Sequence, residues 1–403
     1  MNTSPSGAAT PRFSEFLSTV QENADHAAPL LAAALLEDAW NCRSTDIHII
    51  PVSGGGGFLV RFRVDGRLAE AARLAAEDGQ RLMRYWRSAA GLNPVGTVLP
   101  EVASLTIGIL SVSLDLRFSF TSCHTGETVA IRILNQKRIR RPLDTLGLAA
   151  DDVASLRLWL EEADGMCLVA GPTGSGKTTT LYALLHEVSQ RDQAIVTLED
   201  PVEYAVDGIT QIGIHESQGL DFAVGIKSIL RLDPDIILVG EMRDAVSAQA
   251  VAEAAASGHI VLSTLHGSSP PDVLSLLQSW GLTGHQIAAT TRLILCQRLI
   301  RRLCGKCRFQ APPDETERSW LQRARLTLPG LSWHPKGCDE CTGTGYKGRI
   351  GVFNLWRSQP GSSEPQAASH SLAFHGLQKV LSGETSLAEL RSLPFAVSKI
   401  PHD

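Results

Sequence analysis

The sequence predicts an α/β protein, a parallel sheet flanked by helices, with a smaller α+β domain ahead of it. Three observations carry that expectation. Apolar runs at 166–170, 194–198, 236–240 and 260–264 alternate with helical patterns such as 245–256, as strands buried on both faces do. The first run opens directly onto Gly171-Pro172-Thr173-Gly174-Ser175-Gly176-Lys177-Thr178-Thr179, a glycine-rich loop that leads into an apolar helical stretch. Two of the later runs end in acids, Glu199 and Asp200 after one and Glu241 after the other, with Glu203 just beyond the first pair.

In chain order, residues 1–26 are rich in small and polar side chains around Phe13, Phe16 and Leu17, and they read as a flexible tail. From 27 the apolar residues recur at helical spacing, and strands follow at 46–50 and 58–64. The glycine run 54–57 between them lacks a lysine and reads as a hairpin turn. A further strand pair is expected at 105–116 and 128–134, making 27–137 one α+β domain. The basic, proline-closed stretch 135–142 is the expected boundary, with the sheet-and-helix domain over 138–300. Two cysteine pairs define a subdomain at 301–350, and a helical pattern near 377–390 lies in the last region, 351–403.

With 403 residues, 43% hydrophobic and 20% charged, the chain is long and apolar enough for two or three buried cores. A net charge of −5 argues against coating nucleic acid by bulk charge. Arg298, Arg301 and Arg302 form a local basic patch, but no basic-aromatic pattern accompanies them, so no specific nucleic-acid partner is expected. The longest apolar run, 27–36, stops at Glu37 and has no basic region before it, so neither a membrane span nor a secretory signal is expected. The expected location is the cytoplasm.

The glycine-rich loop is a phosphate cradle by its chemistry. Its glycines allow successive backbone N–H groups to turn inward, Lys177 supplies a point charge to phosphate oxygens, and Thr178 offers a hydroxyl to Mg²⁺. Hydrolysis needs in addition an acid at the end of a neighbouring strand, and Glu241 and Glu199 are the candidates. Thr264 and His266 end the run 258–266, where they could sense a terminal phosphate; His259 and His266 taken alone would more often be structural. Cys304, Cys307, Cys338 and Cys341 form two C-x-x-C pairs, a spacing that brings four thiolates within reach of one tetrahedral ion. Structural Zn²⁺ fits that donor set best, against a redox pair or a rubredoxin-like iron site.

Several long motifs in one order resemble the secretion and type IV pilus assembly ATPases of the type II/IV secretion superfamily. They are GPTGSGKTTTLYALL from Gly171, TLEDPVEY from Thr197, LRLDPDIILVGEMRD from Leu230, SGHIVLSTLH from Ser257, QRLIRRLC from Gln297 and GCDECTGTGYKGRIG from Gly337. The resemblance implies a RecA-like core behind a PAS-like N-terminal domain. It implies that Glu199, Asp200 and Glu203 form an aspartate box, with Asp200 and Glu203 near Mg²⁺, that Glu241 closes Walker B, and that His259 and His266 belong to a histidine box. Ser44-Thr45-Asp46-Ile47-His48 and Arg63-Val64-Asp65-Gly66 also resemble the family. By that resemblance Arg117 and Arg132 are arginine fingers that reach the phosphates when the N-terminal domain closes.

The expectation is therefore a cytoplasmic, hexameric Mg-ATP hydrolase, zinc-bearing and held at the inner membrane by a platform protein, that powers a type II secretion pseudopilus. The alternatives are a type IV pilus assembly or DNA-uptake ATPase, and a nucleotide-binding scaffold with negligible turnover. The family's preceding docking domain is expected to be missing or reduced to 1–26, and the C-terminal region to be shortened.

Overall fold

The computed structural model describes residues 27–109, 112–134, 140–162, 164–189, 191–324, 330–358 and 370–393. The expected tail lies outside them. Two compact units divide the chain: one comprises residues up to Asn135 with Leu303–Phe309 and Pro335–Gly348, the other Gln136–Arg302, Gln310–His334 and the residues from Arg349 on.

In the first unit, α1 (Ala27–Asn41) precedes β1 (Ser44–Pro51), β2 (Phe58–Val64) and β3 (Arg67–Leu74); α2 (Ala76–Ala89) then leads to β4 (Glu101–Ile109), β5 (Val112–Cys123) and β6 (Gly126–Leu134). The strands form one antiparallel sheet in the order β3-β2-β1-β6-β5-β4. Strand alternation explains its core. Ile47, Ile49, Phe118, Phe120, Val129 and Ile131 point to one face and bury against Leu31, Leu35, Leu82 and Trp86 of the two helices. The residues between them, among them Asp46, His48, Arg117 and Arg132, belong to the other face. The segment expected as one strand at 105–116 is split between β4 and β5, and β3 with α2 went unrecognised in the sequence, because β3 is an edge strand that is mostly exposed. The glycine run turns between β1 and β2, as expected.

The second unit opens with α3 (Ala150–Glu162), β7 (Gly165–Ala170) and α4 (Lys177–Val188). Next come β8 (Ile195–Glu199), β9 (Thr210–Gly213), α5 (Phe222–Ile229), β10 (Ile236–Val239), α6 (Ala245–Ala256), β11 (Ile260–Leu265), α7 (Pro270–Ser279), α8 (Gly284–Thr290) and β12 (Thr291–Leu303). A short pair, β13 (Phe309–Ala311) and β14 (Ser332–His334), with α9 (Glu315–Ala324) between its strands, precedes β15 (Tyr346–Arg357), α10 (Leu372–Leu381) and α11 (Leu387–Arg391).

The large sheet runs β15-β12-β7-β11-β10-β8-β9, and its strands from β12 to β9 pair in parallel. Every residue of β7, β8, β10 and β11 is buried, which is why these strands read as unbroken apolar runs. Alternate residues supply two cores. Leu168, Leu198, Ile237, Val239 and Val261 pack with α5, α6 and α7; Cys167, Val169, Ile236, Leu238 and Leu262 pack with α3 and α4. Each fully buried Leu, Ile or Val contributes roughly 1.5–3 kcal/mol. Two covered faces therefore hold strands as short as β10, and parallel pairing brings the C-terminal ends of β7, β8, β10 and β11 to one edge.

Within the expected 301–350 subdomain, the cysteine segments 303–309 and 335–348 group with the N-terminal unit and 310–334 with the other. The reason is local: the Gly348 backbone N–H donates to Asp65 Oδ2 at 3.0 Å, and the Arg43 guanidinium lies 3.2 Å from the same carboxylate oxygen. The helical pattern near 377–390 resolves into α10 and α11.

Candidate active site and metal centre

The phosphate loop follows β7 without a spacer, and α4 begins at Lys177. Gly176, at φ +91°, makes the left-handed turn into the helix, a conformation disfavoured for any residue with a side chain. At Gly171 a Cβ would lie 2.4 Å from Ser175 Oγ and 2.7 Å from the Gln297 carbonyl, so the loop closes only on glycine. Pro172, Thr173, Gly174 and Thr178 are exposed, Thr179 and Lys177 are half-buried, and Gly171 and Ser175 are buried. Lys177 Nζ donates to the carbonyls of Gly171 at 2.8 Å and Pro172 at 3.4 Å. Burial lowers its pKa and nearby Arg298 pushes the same way, while Glu241 opposes them. The lysine and the acid therefore already feel each other.

Gln297 of β12 opened one of the motifs but was given no role in the sequence. It is buried, accepts from Thr180 Oγ1 at 2.8 Å and donates to the Ser175 carbonyl at 2.8 Å, bracing the loop against the first turn of α4. Beyond its place in that motif, its signal was a lone amide in an apolar strand. Arg298 beside it, weighed in the sequence as part of a basic patch, is also buried, donating to the Gln297 carbonyl and to Ser268 Oγ.

At the same edge, Glu241 follows β10 and His266 follows β11. His266 Nε2 lies 3.0 Å from Glu241 Oε1, Arg243 Nε donates to Glu241 Oε2 at 3.0 Å, and Arg243 Nη2 reaches Asp200 Oδ2 at 3.2 Å. Expected members of the aspartate, Walker B and histidine boxes are thus joined into one chain of contacts. Arg243, which links two of them, was not singled out in the sequence. Thr264 serves this edge through its Oγ1, which donates to the Gly240 carbonyl at 2.7 Å and holds the end of β10 against β11.

Glu199 behaves differently. Its carboxylate is buried and accepts from Tyr182 Oη at 2.5 Å, Thr197 Oγ1 at 2.6 Å and Gln211 Nε2 at 3.1 Å. Burial and the adjacent carboxylate push the Tyr182 phenol pKa up, so it remains a donor. The Glu203 backbone N–H donates to the same phenol oxygen at 3.3 Å. These bonds link Glu199 through Tyr182 to the Glu203 backbone, and none of them reaches Glu241. His259 is also set apart. It precedes β11, its ring bonds to Ser257 Oγ and the Ala254 carbonyl, and the six residues of β11 separate it from His266 at the opposite end.

In the N-terminal unit, Arg117 and Arg132 face each other across β5 and β6. Arg132 is exposed and anchored by Asp46 Oδ1 at 3.2 Å.

Cys304, Cys307, Cys338 and Cys341 gather their sulfurs within 4.8 Å of one another. Backbone N–H groups of Cys338 and Gly345 point at Cys341 Sγ, at 3.2 and 3.1 Å. Burial pushes that thiol up; the two backbone donors and the Cys338 and Cys307 thiols together bring it down to about 7. A thiolate already supplied with donors, among four converging sulfurs, fits a tetrahedral Zn²⁺.

The geometry fits a nucleotide as well. Ser175 Oγ is buried without a hydrogen-bond partner inside a loop whose backbone forms a cradle. A family model described as type II/IV secretion system protein matches residues 21–391. The chain belongs to that family. Type II secretion system protein E of Aeromonas hydrophila is 33% identical over 384 residues, spanning 91% of this chain and 76% of that protein. Type IV pilus assembly ATPase PilB of Myxococcus xanthus is 34% identical over 380 residues, spanning 89% and 66%. The Legionella pneumophila ATPase DotB shares the fold, with a TM-score of 0.66 at 20% identity over 90% of this chain and 95% of that one. The expectation of a secretion ATPase is met. Among the described residues of this secretion-family chain, no helix is long and apolar enough to cross a membrane.

Proposed function

We propose that this ATPase works as a homohexameric ring on the cytoplasmic face of the inner membrane, held there by a platform protein, and powers assembly of a type II secretion pseudopilus. The observation that carries the chemistry is the convergence of Lys177, Glu241, His266 and Asp200 at one sheet edge. Lys177 and the loop amides bind the phosphates of ATP. Thr178, Asp200 and Glu203 are the residues that would hold Mg²⁺, which when bound neutralises phosphate charge. Glu241 orients the attacking water and takes its proton on a carboxylate oxygen, with His266 fixing that carboxylate. Glu199 acts as a positioning residue, tying the aspartate box to α4 through Tyr182. The tetracysteine site carries structural Zn²⁺.

In this reading Arg117 and Arg132 neutralise the charge that develops on the transferred phosphoryl group. Their cross-strand pairing on the sheet face away from the helical core supports it. Alanine at both positions is expected to lower turnover about 10³-fold or more, with ATP binding retained. The measurement is phosphate release alongside binding of a fluorescent nucleotide, at a concentration where light scattering shows the assembled ring. Turnover left within a few-fold of the parent would overturn the assignment. The kinship to a type IV pilus assembly ATPase keeps pilus assembly as the second reading, which the pilin cross-linked to the platform would decide.

A further inference from the structure

Glu241 has both carboxylate oxygens engaged by the protein, Oε2 by Arg243 and Oε1 by His266. The guanidinium that binds Glu241 also binds Asp200, so one cation bridges the loops after β8 and β10. Its backbone is fixed. The Arg243 N–H donates to Ser247 Oγ at the start of α6, where Asp244 caps the helix with a reciprocal Ser247 bond. The side chain itself is about half exposed and lies over the Phe222 ring at 5.7 Å, so it can swing without disturbing a core. Lys177 is occupied in a matching way by the carbonyls of its own loop. Lys177, Asp200 and Glu241 are thus each engaged by the protein itself.

A guanidinium stays charged at any working pH, and the bond to Glu241 raises its pKa further. It is therefore a permanent competitor for the two carboxylates. A divalent cation that ligates Asp200, or a water that hydrogen-bonds to Glu241, meets a carboxylate already held in a charge-assisted bond. We infer that Arg243 is a positioning residue that competes with the divalent cation for Asp200 while holding Glu241, so that cation binding with the nucleotide releases the hydrolytic acid. The acid's role and the placing of the cation at Asp200 rest on the function proposed above; the opposing bond from Arg243 rests on the geometry. A simple staple between the two loops would have no reason to weaken cation binding.

The experiment titrates Mn²⁺ into the full chain with ADP, followed by electron paramagnetic resonance, comparing the parent with Arg243→Gln and Arg243→Lys. Because the pairs are partly exposed, removing the charge is expected to tighten Mn²⁺ binding roughly three- to tenfold, with the lysine variant between. The gain should shrink in high salt, as screened ion pairs do. The half-saturating Mg²⁺ for turnover should fall by the same factor. Unchanged or weaker Mn²⁺ binding in a variant whose circular dichroism melt matches the parent would overturn the inference. If the glutamine variant does not fold, the lysine variant alone decides, by whether its Mn²⁺ affinity rises. Glu241→Gln in parallel separates the two claims: retained turnover there would remove the acid assignment, while the Arg243 titration would still report the competition.

Discussion

Glu241→Gln is expected to lower steady-state ATP turnover by about 10²- to 10⁴-fold while ATP binding is retained. The substitution keeps the shape of the side chain and an acceptor for Arg243, so the contacts to Arg243 at 3.0 Å and to the His266 ring can largely persist. What it removes is the group able to accept a proton from water. β10 and β11 remain tied by their parallel ladder and by Thr264 Oγ1 to the Gly240 carbonyl, so the loss belongs to chemistry rather than folding. Phosphate release with a parallel nucleotide-binding titration checks it. Turnover close to the parent would show that the acid lies elsewhere, and Asp200 would be the next residue to change.

Lys177→Ala should instead remove binding and turnover together. The ammonium is held over the loop by two carbonyls and sits in the field of Glu241. Without it, phosphates would approach a site containing Glu241 and Asp200 with no loop cation to offset them. Deleting one member of a buried charge pair costs about 2–5 kcal/mol, which is a loss of affinity of about 30-fold or more. Lys177→Arg should rescue poorly, because the planar fork does not match a cradle that holds a point charge. Equilibrium binding of a fluorescent ATP analogue measures both variants. Parent-like affinity in the alanine variant would contradict the placement of the phosphates on this loop.

How much of this was legible depended on whether a feature is local in sequence. The phosphate loop is contiguous, and its glycines, lysine and threonine announce the chemistry at fixed spacing. The buried strands were readable because parallel strands covered on both faces lose polar alternation, as in β7 and β11. The chain from Asp200 through Arg243 and Glu241 to His266 was not readable as a contact network. It is assembled by the register of β8, β10 and β11, and parallel register leaves no mark at the strand ends. The role of Gln297 was missed for a similar reason, since it meets Ser175 across 122 positions of sequence. His259 and His266 were readable as lying on either side of a strand, but only the structure shows His266 meeting Glu241 while the His259 ring bonds to Ser257 and the Ala254 carbonyl. The cysteine spacing announced a four-thiolate site, whereas the bond from Gly348 to Asp65 that helps group it with the N-terminal unit spans 283 positions. Glu199 was readable as an acid at a strand end, whereas its bonds to Tyr182 and Gln211 come from distant positions that spacing does not show.

The central claim is that this chain is an ATP hydrolase completed by assembly. Its most direct test is ATP turnover per subunit across a protein concentration series, with metal-loaded protein, molar mass recorded at each point and Lys177→Ala as the blank. Turnover that rises with the hexameric fraction and is absent from the blank is the predicted result. Turnover per subunit that stays constant from monomer to hexamer, or a proven hexamer that binds ATP without hydrolysing it, would contradict the account.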